Sequence, residues 1–286
     1  MNSNSFSKNW LHYVLLLIGI LSISWSAIFV KLADVSGLAS AFYRMLFGTI
    51  GIIPIWFYFR KPLGDKKSVF WAILCGILFA ADIALWNTSI LLSKASVSTL
   101  LANLAPVWVG LGSMLILREK TGKTFWIGTT ISIIGVTIIV GLGNFRDLSL
   151  SSGNLLSIAA SFFYGAYLLT ARKGREKLDT FSFTAISMMS STVAIGLVCL
   201  LTNTQLTGFE SSSWTYLILL GLIPQVIGWL TINQALGHIK PTIASVSLLS
   251  QSVFTAIFAL LVLGEALTLI EDRKSTRLNS SHGIIS

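Results

Sequence analysis

Nine apolar runs, each about 20 residues long, follow one another along this chain with only short polar turns between them. They lie near residues 10–31, 37–59, 68–90, 95–117, 124–143, 152–171, 180–202, 213–236 and 241–263. A helix of that length crosses a bilayer, and lipid offers the backbone no hydrogen-bond partner other than the helix itself. The runs therefore predict an all-α polytopic membrane protein, in which the lipid bilayer is the first partner of the chain.

The charged residues support a membrane protein and exclude a nucleic-acid partner. Only 11% of the residues are charged, whereas soluble domains have about 25%. The net charge of +9 does not form one basic face, because the Lys and Arg residues lie between the apolar runs. Thirteen of them lie in one set of alternate loops and three in the other. By the positive-inside rule, this bias predicts a cytoplasmic N-terminus.

One segment of the chain is repeated. Residues 87–119 and 233–265 align without a gap at a shift of 146 residues, with Asn, Lys and Glu at the same places in both copies. The repeated runs are the fourth and the ninth, so the two copies cross the membrane in opposite directions. Such an inverted repeat allows two halves to exchange conformations, which is the basis of alternating access.

Several short motifs resemble the EamA group of drug/metabolite transporters. They are SWS at 24–26 followed by Phe29, AFYRML at 41–46, and the repeated run that ends in RE at 118–119 or LGE at 263–265. The resemblance extends from Trp10 to about Leu269. It implies ten helices in two inverted five-helix halves, a central cavity lined by spans 1, 3, 4, 6, 8 and 9, and export of small metabolites, often amino acids. One departure is Ser252, which stands opposite Pro106 where the family often has Pro in both halves.

The second half is shorter than the resemblance implies. We predict a first repeat at 10–143 and a second at 152–270, in which the tenth helix is missing and nine spans are present. From Glu271 onward, five charged residues occur within seven positions, which no membrane span tolerates. We predict that residues 272–286 are a non-native tail.

Asp82 is the first candidate for a functional residue, because it lies in the middle of the third run. A carboxyl at that depth is costly and indicates a substrate site, a proton relay or a paired charge; a structural hydrogen bond is the alternative. Trp86 follows on the same helix face. Arg44 is expected to extend from the second run to the membrane interface, as long cations near helix ends do. A pair with Asp82 is the alternative for Arg44.

Further polar and aromatic side chains repeat at helical spacing. In the eighth run they form a single stripe, and similar groups lie on the fourth and ninth runs, where interhelical hydrogen bonding is the alternative role. Two aromatic residues occupy similar places in runs 1 and 6 and either stack on a substrate or pack. The predicted substrate-binding residues are Asp82, Trp86, Asn103, Gln225, Trp229, Asn233, Gln251, Trp25 and Tyr164. In the fifth run, Gly128, Gly135, Gly141 and Gly143 predict close helix packing.

These patterns favour a secondary active transporter that exports a small molecule across the bacterial inner membrane. No catalytic motif, metal cluster or phosphate loop occurs in the sequence, so neither a metal nor a cofactor is expected. Protons are the first candidate for a coupling ion, because Asp82 is the one central carboxylate. An intramembrane enzyme and a passive channel are the alternatives.

Overall fold

The helices begin and end close to the predicted spans. The computed structural model describes residues 3–59, 63, 65–92, 101–116, 118, 120–140 and 151–263, and these ranges contain helices and turns but no strand. The helices are α1 (Ser3–Ser24), α2 (Ser26–Ala33), α3 (Gly37–Phe59), α4 (Lys66–Leu92), α5 (Ala105–Leu115), α6 (Lys123–Val140), α7 (Ser152–Gly174), α8 (Thr180–Leu201), α9 (Ser211–Leu220), a π-helix (Gly221–Gly228), α10 (Trp229–Leu236), α11 (Pro241–Leu248) and α12 (Ser250–Leu263).

In the described part of the chain, seven helical stretches are long and apolar enough to cross a membrane. They are Trp10–Ala33, Gly37–Phe59, Lys66–Ser89, Ser152–Gly174, Thr180–Leu201, Ser211–Leu236 and Pro241–Leu263, which correspond to predicted spans 1, 2, 3, 6, 7, 8 and 9. Helices α5 and α6 lie within predicted spans 4 and 5. The all-α polytopic fold is therefore confirmed. Lys94, Glu119 and Glu265, which are landmarks of the repeat, and the predicted tail at 272–286 lie outside the described residues.

Four of the spans are not continuous α-helices. Span 1 breaks at Trp25, span 4 at Asn103 and Leu104, and span 9 at Leu249, while span 8 contains the π-helix. Breaks in a helix need new partners for the freed backbone groups, and at membrane depth these must come from protein or from a water-lined cavity. Leu249 lies 146 residues after Asn103, which is the shift that aligns the two copies of the repeat.

Helix α4 packs against both α7 and α8. Gly76 allows α4 to approach α8, because a Cβ at this position would overlap Ser190 and the Ser187 carbonyl. The Ser191 hydroxyl donates a hydrogen bond to the Gly76 carbonyl at 2.6 Å. Small residues and hydroxyl groups of this kind join helices in lipid, where the hydrophobic effect does not drive helices together.

The close packing predicted for span 5 is not found at Gly128 or Gly135, and Gly141 and Gly143 lie outside the described residues. Among the residues that the structure describes, no atom lies within 4 Å of a Cβ placed at Gly128 or Gly135. Neighbouring isoleucines of the same helix, Ile127, Ile131 and Ile134, are exposed. A pattern of small residues indicates where helices can approach, but it does not show whether a neighbour is present.

Arg175 joins three helices just beyond the C-terminal end of α7. Its guanidinium donates to the Leu178 carbonyl at 2.6 Å, to the Thr180 hydroxyl at 2.5 Å and to the Asn233 carbonyl at 3.3 Å. The Thr180 hydroxyl in turn bonds to the side chain of Gln234. Burial lowers the pKa of Arg175 to about 10, and the carboxylate of Asp179 opposes this change, so the guanidinium stays charged at neutral pH.

Replacing this arginine should loosen the junction of α7, α8 and α10. We expect Arg175→Gln to lower the free energy of unfolding by about 1–3 kcal/mol, because buried carbonyls lose their donor. Arg175→Lys should recover only part of the loss, since an ammonium lacks the planar fork of donors. Thermal unfolding in detergent measures the effect, with the exposed Lys120→Gln as the control. Equal stability of wild type and Arg175→Gln would show that the junction does not depend on Arg175.

Candidate functional site

The helices enclose a cavity of about 100 Å³ near the breaks in the spans. A single buried water needs roughly 10–15 Å³, so the cavity has room for several waters or for one small organic molecule. Its wall contains residues of spans 1, 3, 4, 6, 8 and 9, and in addition Arg44 of span 2. The cavity is therefore lined by the six spans that the resemblance implies, and span 2 contributes Arg44 as well.

The broken spans supply much of the polar wall. Asn103 lies at the break in span 4, and its side-chain amide donates to the Ser252 hydroxyl at 2.6 Å, just beyond the break in span 9. The Thr255 hydroxyl donates to the Ser24 carbonyl at 3.0 Å, next to the break in span 1. Because these bonds use the side chains and carbonyls at the breaks, they join three irregular segments around the cavity.

Two opposite charges face the same cavity. Arg44 is only 5% exposed, and its Nε donates to the side-chain oxygen of Gln225 at 2.8 Å. Asp82 exposes part of its side chain to the cavity and attracts the guanidinium of Arg44. Within the described residues no direct ion pair joins them, so the two charges lie at separate points of the wall.

The prediction that Arg44 extends to the membrane interface is wrong. The π-helix of span 8 brings Gln225 against α3, where the amide oxygen binds the guanidinium. The opposite charge of Asp82 further offsets the cost of burial. Arg44 is thus a cavity residue that sequence reasoning placed elsewhere, and the one signal for its position was an acidic residue in the next span.

Aromatic rings form the other side of the cavity. Trp229 packs edge-to-face against Phe79 at 4.6 Å and against Tyr164 at 6.0 Å between ring centroids. It also meets Tyr167 edge-to-face at 5.0 Å. Edge-to-face pairs are favourable and fix ring orientations, so the indole of Trp229 has a defined direction.

Six of the nine predicted site residues line this cavity: Asp82, Trp86, Asn103, Tyr164, Trp229 and Gln251. Gln225 lies behind the wall, where it binds Arg44. Asn233 accepts a hydrogen bond from the Tyr167 hydroxyl at 2.8 Å and donates to the Thr184 hydroxyl at 3.2 Å, which is an interhelical contact. Trp25 stacks on Phe258 at 4.6 Å.

The π-helix changes the angle between successive residues of span 8. For this reason the stripe of Gln225, Trp229 and Asn233 does not face one surface.

Sequence reasoning left Ser26 and Ser252 out of the predicted set, although both line the cavity. Ser26 is part of the SWS triplet and follows the break at Trp25. Ser252 was distinguished by its position opposite Pro106 in the repeat. The sequence distinguishes both serines, Ser26 by its triplet and Ser252 by its alignment with Pro106. Nothing in the sequence shows that a helix is interrupted close to them.

Gly48 controls the contact between Arg44 and Gln225. A Cβ at Gly48 would lie 2.5 Å from Cγ of Gln225. We expect Gly48→Ala to displace Gln225, to lower stability by about 1–3 kcal/mol through overpacking, and to reduce transport. Gly128→Ala is the matched control, since that position is open. Thermal unfolding and a transport assay measure both effects; equal behaviour of the two variants would contradict the role assigned to Gly48.

Comparison with known proteins gives the family of the chain. A model of the EamA-like transporter family matches residues 10–141 and again 151–271. The uncharacterized transporter YdfC of Bacillus subtilis (strain 168) is 26% identical over 232 residues, 80% of this chain and 75% of the relative. An uncharacterized transporter of Archaeoglobus fulgidus is 24% identical over 265 residues, 87% of this chain and 89% of the relative.

One curated relative has a named substrate. The riboflavin transporter of Vibrio cholerae serotype O1 is 27% identical over 210 residues, which cover 68% of this chain and 65% of the relative. A crystal structure of another protein, at 16% identity, superposes with a TM-score of 0.75 over 90% of each chain and shows a shared fold. With the family model matching both halves of a helical membrane fold, the chain belongs to the EamA-like transporter family.

Proposed function

We infer that this transporter is a secondary active exporter, which carries a small metabolite across the bacterial inner membrane by alternating access. The observation that carries the proposal is the cavity among the broken spans, in which Arg44 and Asp82 face aromatic rings. Charged groups are costly within a membrane, and they are characteristic of substrate and ion pathways.

The positions of the helix breaks support alternating access. Asn103 and Leu249 are equivalent in the two copies of the repeat, and Asn103 bonds to Ser252 in the other copy. If the copies cross the membrane in opposite directions, a change at one break has a counterpart at the other. One side of the cavity then opens as the other closes.

The cavity favours a substrate with charged and aromatic parts. Amino acids are the first class to consider, because their ammonium and carboxylate match Asp82 and Arg44 and their side chains match the rings of Trp86 and Trp229. The riboflavin transporter among the relatives suggests a second class, flat heteroaromatic molecules. These rings stack on aromatic side chains in the same way.

Asp82 is the proposed coupling residue. A carboxylate that binds either a proton or the cationic group of the substrate exchanges one for the other, and inward proton flow then drives export. The positive charge of Arg44 lies in the same cavity wall and attracts this carboxylate.

Counterflow in proteoliposomes tests the function directly. Purified protein is reconstituted, loaded with one unlabelled compound of a panel of amino acids and riboflavin, and assayed for uptake of the same labelled compound. A transporter accumulates label transiently against its gradient. A channel only equilibrates it, and an intramembrane enzyme yields a product that chromatography detects.

The Asp82 proposal has its own test. Asp82→Asn keeps the shape of the side chain and removes its charge, so we expect proton-driven transport to be lost while protein in the membrane stays at the wild-type level. Asp34→Asn is the control: Asp34 is exposed, with φ of 49°, a conformation that Asn also tolerates. Wild-type driven transport by Asp82→Asn would exclude Asp82 as the coupling residue.

The orientation can be tested by cysteine labelling. In a background of Cys75→Ala and Cys199→Ala, an impermeant thiol reagent applied to intact cells should label Lys94→Cys and leave Lys240→Cys unlabelled. The expectation follows from the positive-inside rule, which puts the N-terminus and Lys240 in the cytoplasm. Labelling of Lys240→Cys alone would reverse the proposed topology, and equal labelling of both would contradict the inverted repeat.

A further inference from the structure

Three polar atoms in the cavity wall are buried and, among the described residues, have no hydrogen-bond partner. They are Oγ of Ser26, Oη of Tyr164 and Nε1 of Trp229. The Ser26 and Trp229 side chains are 2% and 4% exposed. Buried polar atoms in proteins almost always have a partner, and one left alone costs free energy. Three such atoms around one cavity indicate that the cavity binds a group that satisfies them.

All three atoms can donate a hydrogen bond, and the indole N–H can only donate. Arg44 adds a positive charge to the same wall, and its hydrogen bond to Gln225 uses Nε alone. This set of donors suits a ligand group that only accepts. A carboxylate is such a group, and it binds a guanidinium through two parallel hydrogen bonds.

The donors are held in place before a ligand arrives. The Trp229 ring packs edge-to-face against Phe79, Tyr164 and Tyr167, while Gln225 fixes the guanidinium of Arg44. Donors that are already oriented lose little conformational entropy on binding.

Asp82 makes the cavity selective for one end of the ligand. Its carboxylate is part of the same wall but forms no direct ion pair with Arg44 within the described residues. The ionised form of Asp82 repels a negative group, so a carboxylate binds at the Arg44 side.

We propose that Arg44, Ser26, Tyr164 and Trp229 form a carboxylate-binding subsite in the central cavity, which selects substrates that carry an acidic group. The subsite rests on the proposed function in that it belongs to the transported molecule. It goes further in assigning one chemical group of the substrate to four named side chains.

Benzoate is the probe for this subsite, because it presents one carboxylate on one small ring. Its affinity is measured by titration of the thermal unfolding temperature of the purified protein, with benzyl alcohol as the neutral control. Wild type should bind benzoate and should not respond to benzyl alcohol at the same concentration. Arg44→Gln should weaken benzoate binding by at least about tenfold, as expected when a hydrogen bond to a charged group is lost.

Two further variants each remove one donor. Tyr164→Phe removes only the hydroxyl, which has no hydrogen-bond partner among the described residues, so its unfolding temperature without ligand should stay near that of wild type. Trp229→Phe removes the indole N–H together with part of the ring system, so it also loses packing and should lower the unfolding temperature. Each variant should weaken benzoate binding about fivefold. Trp126→Phe is the control for the smaller ring, since the Trp126 N–H binds Thr121 and Trp126 is absent from the cavity wall. Failure of wild type to bind benzoate, or unchanged affinity in both Tyr164→Phe and Trp229→Phe, would overturn the subsite.

Counterflow separates this proposal from the proposed function. If wild type transports a member of the panel but Tyr164→Phe and Trp229→Phe bind benzoate normally, the subsite is wrong and the transporter stands. If benzoate binds as described but counterflow fails for every compound, the subsite stands and the proposed transport of those compounds is wrong.

Discussion

The structure depends on the burial of two ionisable side chains, Arg44 and Asp82, in the middle of an apolar bundle. A single charge at the centre of a membrane helix costs roughly 2.5–3.5 kcal/mol on the insertion scale. Arg44 is stabilised there by the amide oxygen of Gln225 and by attraction to Asp82. Gln225 reaches Arg44 because Gly48 lets the π-helix approach α3. The burial of Arg44 therefore depends on the amide of Gln225, on the π-helix that carries this amide, and on the small size of Gly48.

The same reasoning accounts for the breaks in the spans. A helix can be interrupted in a membrane only where other groups bind the freed carbonyls. Next to the break at Trp25, the Ile23 carbonyl accepts a hydrogen bond from Gln251 at 3.5 Å, and the Ser24 carbonyl accepts one from Thr255 at 3.0 Å. Span 1 is thus irregular where span 9 supplies donors. The packing of span 9 against span 1 therefore accounts both for the break at Trp25 and for this part of the cavity wall.

The spans could be predicted from the sequence, whereas their interruptions could not. Lipid imposes a length and a composition on every span, so the apolar runs gave seven stretches nearly to the residue. The break at Leu249 carries no local signal, since it depends on a neighbouring helix. Arg44 could not be placed for a similar reason: snorkelling depends on depth and partners. Gln225 and Asn233 were expected on one face with Trp229, but a π-helix is set by tertiary packing and alters that spacing.

Both copies of the repeat have a helix interruption at the equivalent position, Asn103 and Leu249, but the residues there differ. The break in span 4 presents the amide of Asn103, whereas the equivalent break in span 9 presents the apolar Leu249. Pro106 likewise corresponds to Ser252, whose hydroxyl accepts the hydrogen bond from Asn103. A symmetric scaffold allows the inward-open and outward-open states to have similar free energies, as alternating access requires. Arg44 and Asp82 have no counterparts across the repeat, because the equivalent positions, 190 and 228, are Ser and Gly. Such an asymmetric lining allows one substrate to bind in one orientation in both states. In the proposed mechanism, the repeated scaffold provides for the movement, while Arg44 and Asp82 provide for recognition.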